Sequence, residues 1–304
     1  MFKKIFFYLA VSWVLQSCST EVAKPLPHQH IVLASDFLTK KDLPVFKQFT
    51  KKFGIKVYII SLSEQQLIEK LNKEKTATRI DAILLSSLVG MEKANCLNAL
   101  QMTLKNPIVA IGYNPYIYTI VNDSLNTKAS YRGVFASDNW SSLSTKTSYF
   151  TPMLAEVKQL LRKKKSDFPN WVKQFFKHKS NQDTAVNNSA VISKYSDFMA
   201  LDYSIRKKIT LLFPKEKTYT DLAVFAIVKQ ARNYSNALLL RRAIQQEKMN
   251  RIIAAKGNFF PLESSTKSRY AYQNRTFNWA VKNPLLTLKN FKSIEQLLQK
   301  EEKK

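Results

Sequence analysis

From residue 30 onward the apolar positions fall into short blocks separated by helically spaced ones. Residues 31–34 (IVLA) form a compact apolar run of strand length. Leu43, Phe46, Phe49 and Phe53 then recur on one helical face, with Asp42 placed to cap that helix, Pro44 in its first turn and Gly54 closing it. Residues 55–60 (IKVYII) read as a second strand. Ser63 and Gln66 have the spacing of a capping box, opening a helix that carries Leu67, Ile68 and Leu71. Residues 80–85 (IDAILL) read as a third strand. This order predicts an α/β fold built on a parallel, doubly wound sheet.

The later pattern continues the alternation with less regularity. Residues 107–118 (PIVAIGYNPYIY) are strand-like but interrupted at Gly112-Tyr113-Asn114-Pro115. Residues 158–179 hold eight Lys/Arg against Asp167 alone, together with Trp171, Phe175 and Phe176. An amphipathic helix with its aromatic residues inward and its lysines in water accounts for that stretch. Residues 183–193 and 209–213 read as strands, and residues 221–232 and 235–256 as two helices. Gly257 stops the second, and a helix-rich wrap with a charged tail is expected at the end.

The N-terminus changes the picture of where this chain works. Lys3 and Lys4 precede an almost wholly apolar run, residues 5–15, which is the layout of a secretory signal. A membrane-spanning helix needs roughly 20 apolar residues, so the run is too short to be one. Leu15-Gln16-Ser17-Cys18 resembles the lipobox of bacterial lipoproteins. The resemblance implies that residues 1–17 are a signal peptide and that Cys18 carries a lipid. Residues 18–29, with Pro25 and Pro27, read as a flexible tether. His28 and His30 are expected to be solvated rather than to hold a metal.

Composition adds two constraints. The net charge is +26, but lysine is spread along nearly every segment, which describes a solvated surface better than a binding stripe. No nucleic-acid partner is expected of a secreted chain. With Cys18 carrying a lipid, Cys96 is the only remaining cysteine, so no internal disulfide is expected. There is no glycine-rich phosphate loop, His-Glu metal motif or nucleophile elbow. A non-enzyme without a cofactor is expected.

In open α/β sheets, ligands gather beyond the carboxyl ends of strands. Ser35-Asp36, residues 61–63 and Ser86-Ser87 occupy those places. Their hydroxyls can donate to a polar solute or cap helices.

The order of elements resembles the type 2 periplasmic substrate-binding proteins of ABC importers. The resemblance rests on HIVLASDFLTKKDLPVFKQFTKKFGIKVYII, LIEKLNKEKTATRIDAILLSS, NWSSLST, DTAVNNSAVIS, LLFPKEKTYTDLAVFAIVKQARNYSNALLLRRAI and MNRIIAAKGNFFPL, in the family's order. The ferric-iron-binding branch is the most similar. This implies two lobes, each a doubly wound sheet flanked by helices, with the ligand cleft between them. Lobe 1 would comprise residues 30–110, lobe 2 residues 111–213, and residues 214–304 would return to lobe 1 and wrap it. The resemblance also implies a monomer that closes on a small molecule or ion, delivers it to an ABC permease and stays at the envelope membrane through its lipid.

Ferric-binding members carry adjacent tyrosines, and the resemblance places those positions at Ala190 and Val191, with Tyr195 displaced. Asp36 would stand near the family's first-loop ligand, so Asp36 and Tyr195 are the candidate metal donors. The wider candidate cleft comprises Asp36, Ser61, Ser86, Ser87, Asn188, Ser189, Tyr195, Tyr219 and Thr220. Such hydroxyl and amide groups suit a small polar or anionic solute, with an iron complex among the candidates. The alternative is a lipoprotein of this fold that has lost its solute and acts through protein–protein contacts.

Overall fold

A computed structural model of the chain describes residues 29–96, 99–101, 108–120, 140–142, 154, 190–212, 220–262, 296 and 300. Strand β1 (His30–Ser35) pairs in parallel with β2 (Lys56–Ser61) over its full length and with β3 (Ala82–Leu85) on its other side. The three strands expected to be parallel are therefore parallel. The sheet then becomes mixed, because β8 (Thr220–Ile227) runs antiparallel to β3. Strand β4 (Val109–Ile120) is antiparallel to β8 along Val109 to Pro115 and to β6 (Ala190–Lys194) along Tyr116 to Thr119. Strand β5 (Trp140–Ser142) pairs in parallel with β6, giving the order β2-β1-β3-β8-β4-β6-β5. Two short strands, β7 (Thr210–Leu212) and β9 (Phe260–Pro261), pair with β4 off this path.

The first helical segment begins differently from expectation. Residues Lys40–Phe46 form a 3-10 helix with Thr39 as its cap, followed by α1 (Lys47–Phe53). Asp42 is the reciprocal partner of the cap, accepting from the Thr39 amide at 2.9 Å and from its hydroxyl at 3.0 Å. Phe46 and Phe49 are buried beneath it, and Gly54 closes α1 in the left-handed region at φ 70°. Helix α2 (Glu64–Glu74) has the expected capping box, with Ser63 and Gln66 bonded reciprocally at 3.2 and 2.9 Å. Helix α3 (Leu88–Cys96) follows β3.

Residues 221–232 overturn their helical expectation, since most of that stretch is β8, in which all eight residues are buried. Helices cover a sheet on both faces, and a central strand then reads as a continuous apolar run that helical periodicity also fits. The expected interruption of residues 107–118 is likewise absent, because β4 runs through it. Its register slips between Ala110 and Gly112, and Pro115 stands where the strand passes from β8 to β6. A residue without a ladder donor is best tolerated at such a change of partner.

After β6 come two short helices, α4 (Tyr195–Ala200) and α5 (Tyr203–Arg206). The long helix expected over residues 235–256 is two, α6 (Tyr234–Ile244) and α7 (Glu247–Lys256), with Gln246 extended between them. Breaking there lets Leu240 and Ile244 of one helix, and Ile253 of the next, enter a single apolar cluster with Ile31, Leu84 and Phe225. Asp81, fully buried just before β3, ties this layer together. It accepts from the Val32 amide at 2.9 Å and from the Asn233 amide and side chain at 2.9 and 3.1 Å. No helix among the described residues is long and apolar enough to cross a membrane.

Candidate functional site

The ends of β1 and β3 build one wall of a large cavity. The Ser35 hydroxyl accepts from the amides of Phe37 and Leu38 at 3.3 and 3.1 Å, turning the chain sharply after β1 and presenting Asp36. Ser86 meets it from the end of β3. Its amide donates to Asp36 Oδ1 at 2.9 Å and its hydroxyl to Oδ2 at 2.5 Å. Burial pushes the Asp36 carboxyl up to about 6, against the pull of the Ser86 bonds, and nearby Glu64 adds to the rise.

The first turns of α2 add Ser63, Glu64, Gln65, Ile68 and Glu69 to the lining, and α3 adds Lys93. Across the cavity stand Ser196, Asp197 and Ala200 of α4. Ser196 is fixed to β4 by two bonds to the Asn114 side chain, at 2.8 and 3.0 Å. Burial also raises the Asp197 carboxyl above the usual range, with Lys194 pulling it back. The last wall runs from Lys256 to Phe259, and the Phe259 ring meets Phe37 edge to face at 5.0 Å. The cavity, open to solvent, has a volume of about 800 Å³, the size of a small-molecule pocket.

The lining is acidic although the chain is strongly basic. Its described residues include Asp36, Glu64, Glu69 and Asp197 against Lys93 and Lys256. Lys93 is engaged by Glu64 at 3.2 Å, and Lys256 by Asp42 at 3.0 Å. The net charge of +26 does not carry into the cavity. Summed surface charge steers ligands from a distance, whereas selection depends on the groups at the site.

Of the residues expected at the cleft, Asp36 and Ser86 are brought together on the cavity wall. Ser61 ends β2 exposed and is not part of the lining. Ser87 is buried and turns the chain into α3, accepting from the Val89 amide at 3.2 Å. Thr220 is fully buried opposite Pro115, with its hydroxyl lacking a partner among the described residues. Tyr195 packs against Phe260 at 4.4 Å between centroids, in an apolar cluster with Ile117 and Phe198. Cys18, Asn188, Ser189 and Tyr219 lie outside the described residues.

Ala190 and Val191, the expected counterparts of the tyrosine pair, lie within β6, and Val191 is buried away from the cavity lining. The strand ends at Lys194, so the residues it delivers to the cavity wall are Ser196 and Asp197. Sequence reading missed these two, together with Glu64, Glu69 and Phe259. The sequence reading ends this strand at residue 193, one residue before Lys194, but seeks the cleft residues at Asn188 and Ser189, ahead of that end rather than beyond it.

No family model matches this sequence, and a search of the curated proteins finds no match. Solved structures do resemble it. One is a Trichodesmium protein (IdiA, FutA) in complex with iron and citrate ligands, with TM-score 0.74 and 15% identity, covering 90% of this chain and 99% of that one. Another is ferric iron-binding protein A of Mannheimia haemolytica in an open conformation, with TM-score 0.75, 16% identity and coverage of 90% and 98%. A third is a ferric binding protein from Campylobacter jejuni, with TM-score 0.70, 15% identity and coverage of 89% and 99%. At these identities the likeness concerns the fold: the chain has the mixed α/β architecture that these binding proteins share.

Proposed function

We propose that this chain is the solute-binding component of an ABC importer, lipid-anchored through Cys18 and working outside the cytoplasm. The observation that carries the reading is the cavity of about 800 Å³, walled by the ends of β1 and β3 on one side and by α4 on the other. In this reading the protein captures a small polar solute by closing its lobes and then delivers it to a permease. Closure removes water and strengthens each polar contact, and no covalent step is needed. The relatives named for iron make an iron complex one candidate cargo. Asp36 and Asp197 are two of the acidic donors that the described lining offers for it, in place of paired tyrosines. The division into lobe 1 (residues 30–110 and 214–304) and lobe 2 (residues 111–213) belongs to the same reading. So does a lipid on Cys18, which keeps the receptor close to the permease and raises its effective concentration there.

A second reading is a lipoprotein of this fold that works through protein contacts. It is favoured by the structural roles of Ser87 and Tyr195, which leave fewer of the expected residues free for a ligand. A thermal-shift panel on the mature chain in detergent separates the two. The panel would hold ferric citrate, phosphate, phosphonates, thiamine, polyamines and sugars. A rise in Tm with one class supports the receptor. A well-folded protein that shifts with none contradicts it and favours the second reading.

A further inference from the structure

We infer that the cavity takes an organic cation, a solute with ammonium or guanidinium groups on an apolar skeleton. This inference rests on the cavity being the solute site.

Three features lead to it. First, the charges that face the cavity are unevenly compensated. The two lysines of the lining are already engaged by Glu64 and Asp42, and Lys194, the cation near Asp197, is paired with Asp221. Among the described residues Asp36 accepts from the Ser86 amide and hydroxyl, and Asp197 from the Ser196 hydroxyl. Glu69 likewise accepts only the Gln65 side-chain amide, at 2.9 Å. Asp36 and Asp197 are half-buried and short of counter-charge, and an entering cation would offset part of their desolvation on both walls. Second, the carboxylates stand on different elements: Asp36 follows β1, Glu69 is on α2 and Asp197 is on α4. A solute bearing charge at two ends engages this arrangement better than a point charge does. Among the described residues no group of three or more His, Cys, Asp or Glu side chains is gathered closely enough to hold a metal ion. Third, Phe37, Ile68 and Phe259 give the same cavity apolar surface. Two crossed aromatic rings suit methylene groups, and their faces attract cations. The volume is far larger than a bare ion needs.

Calorimetric titration of the mature chain in detergent tests this. The probes are spermidine, cadaverine and agmatine, set against ferric citrate and inorganic phosphate. Variants are Asp36→Asn, Asp197→Asn and, away from the cavity, Glu247→Gln, each first checked for an unchanged melting profile without solute. The expected result is saturable binding of at least one amine. Asp36→Asn and Asp197→Asn should each weaken it by at least about tenfold, and Glu247→Gln should leave it unchanged. Amine binding that ignores both cavity variants would overturn the inference, because the site would then lie elsewhere. Binding of ferric citrate or phosphate without any amine would also overturn it, while leaving the receptor reading intact. A folded chain that binds none of the probes would overturn it as well, and the receptor reading would then be decided by the wider thermal-shift panel. Should Asp197→Asn fail to fold, the chemical shift of the Asp197 carboxyl on adding amine replaces it: movement supports the inference and its absence overturns it.

Discussion

Lys194 and Asp221 form a fully buried ion pair, Nζ to Oδ2 at 2.5 Å, that joins the two sides of the cavity. Lys194 is the last residue of β6, directly ahead of Ser196 and Asp197 on one wall. Asp221 lies on β8, and its other oxygen accepts from the Leu88 amide at 3.0 Å, two residues after Ser86 on the opposite wall. The pair thus fixes the spacing of Asp36 and Asp197 without touching the cavity itself. The Lys194 ammonium also lies over the Tyr116 ring, at 5.9 Å from its centroid.

Breaking this pair should be expensive. Asp221→Asn leaves Lys194 buried without a counter-charge and is expected to cost about 3–5 kcal/mol. The double variant Lys194→Met/Asp221→Asn removes the stranded charge and should recover a large part of that loss. Urea denaturation of the single and double variants measures both. Equal losses in the two would remove the pair from this role.

Asp81 is expected to act on stability alone. Its carboxylate holds three donors from β1 and from the start of α6, so Asp81→Ala strands buried amides and should cost about 3 kcal/mol. It lies outside the cavity lining, and the solute response of the folded fraction should be unchanged. Denaturation curves and titrations on the same preparation check the two halves of this prediction.

The Asp36 carboxyl gives the protein a pH dependence of known sign. Its folded value, about 6, lies above the ordinary 3.8. The native state therefore holds this proton more tightly than the unfolded chain does. The resulting stability is fully present below pH 3.8 and is lost as pH rises through 6. Asp36→Asn should flatten the fall in stability between about pH 4 and 6 that this group produces. For the same reason, binding of a cationic solute should strengthen as pH rises through 6 and Asp36 ionises. Melting curves and titrations from pH 4.5 to 7.5 would detect both trends, and an Asp36 carboxyl that titrates near 4 would contradict them.

Gly112 marks a close approach of chains rather than a flexible joint. A Cβ there would stand 2.7 Å from the Phe260 carbonyl oxygen and 2.9 Å from Phe259 Cβ. Gly112→Ala must therefore displace β9 from β4, at a cost of about 1–3 kcal/mol. Because Phe259 lines the cavity, this variant should also weaken solute binding, in contrast to Asp81→Ala. Thermal melts with and without solute measure both effects.

The first third of the fold was legible because its signals are local. Ser63 with Gln66, Gly54 after Phe53, and the apolar runs of β1, β2 and β3 each specify their element without distant help. The strand β8 was not legible, since TDLAVFAI fits a buried helix as well as a central strand and only its neighbours β3 and β4 decide. At the site, Asp36 and Ser86 could be found because both follow strands that were recognised. Asp197 was missed although the end of β6 was read to within one residue, because the resemblance directed the search to Asn188 and Ser189, ahead of that end. Tyr195 shows the opposite failure: an aromatic residue next to the cleft whose burial against Phe260 is a matter of tertiary packing.

The central claim is that the cavity between Asp36 and Asp197 holds a small solute. Native mass spectrometry of the lipidated chain, extracted gently from the cells that make it, tests this most directly. The account predicts a population carrying one small molecule per chain, and loss of that mass in the Asp36→Asn/Asp197→Asn double variant. A chain that is always bare, or one whose only companion is another protein, would contradict it.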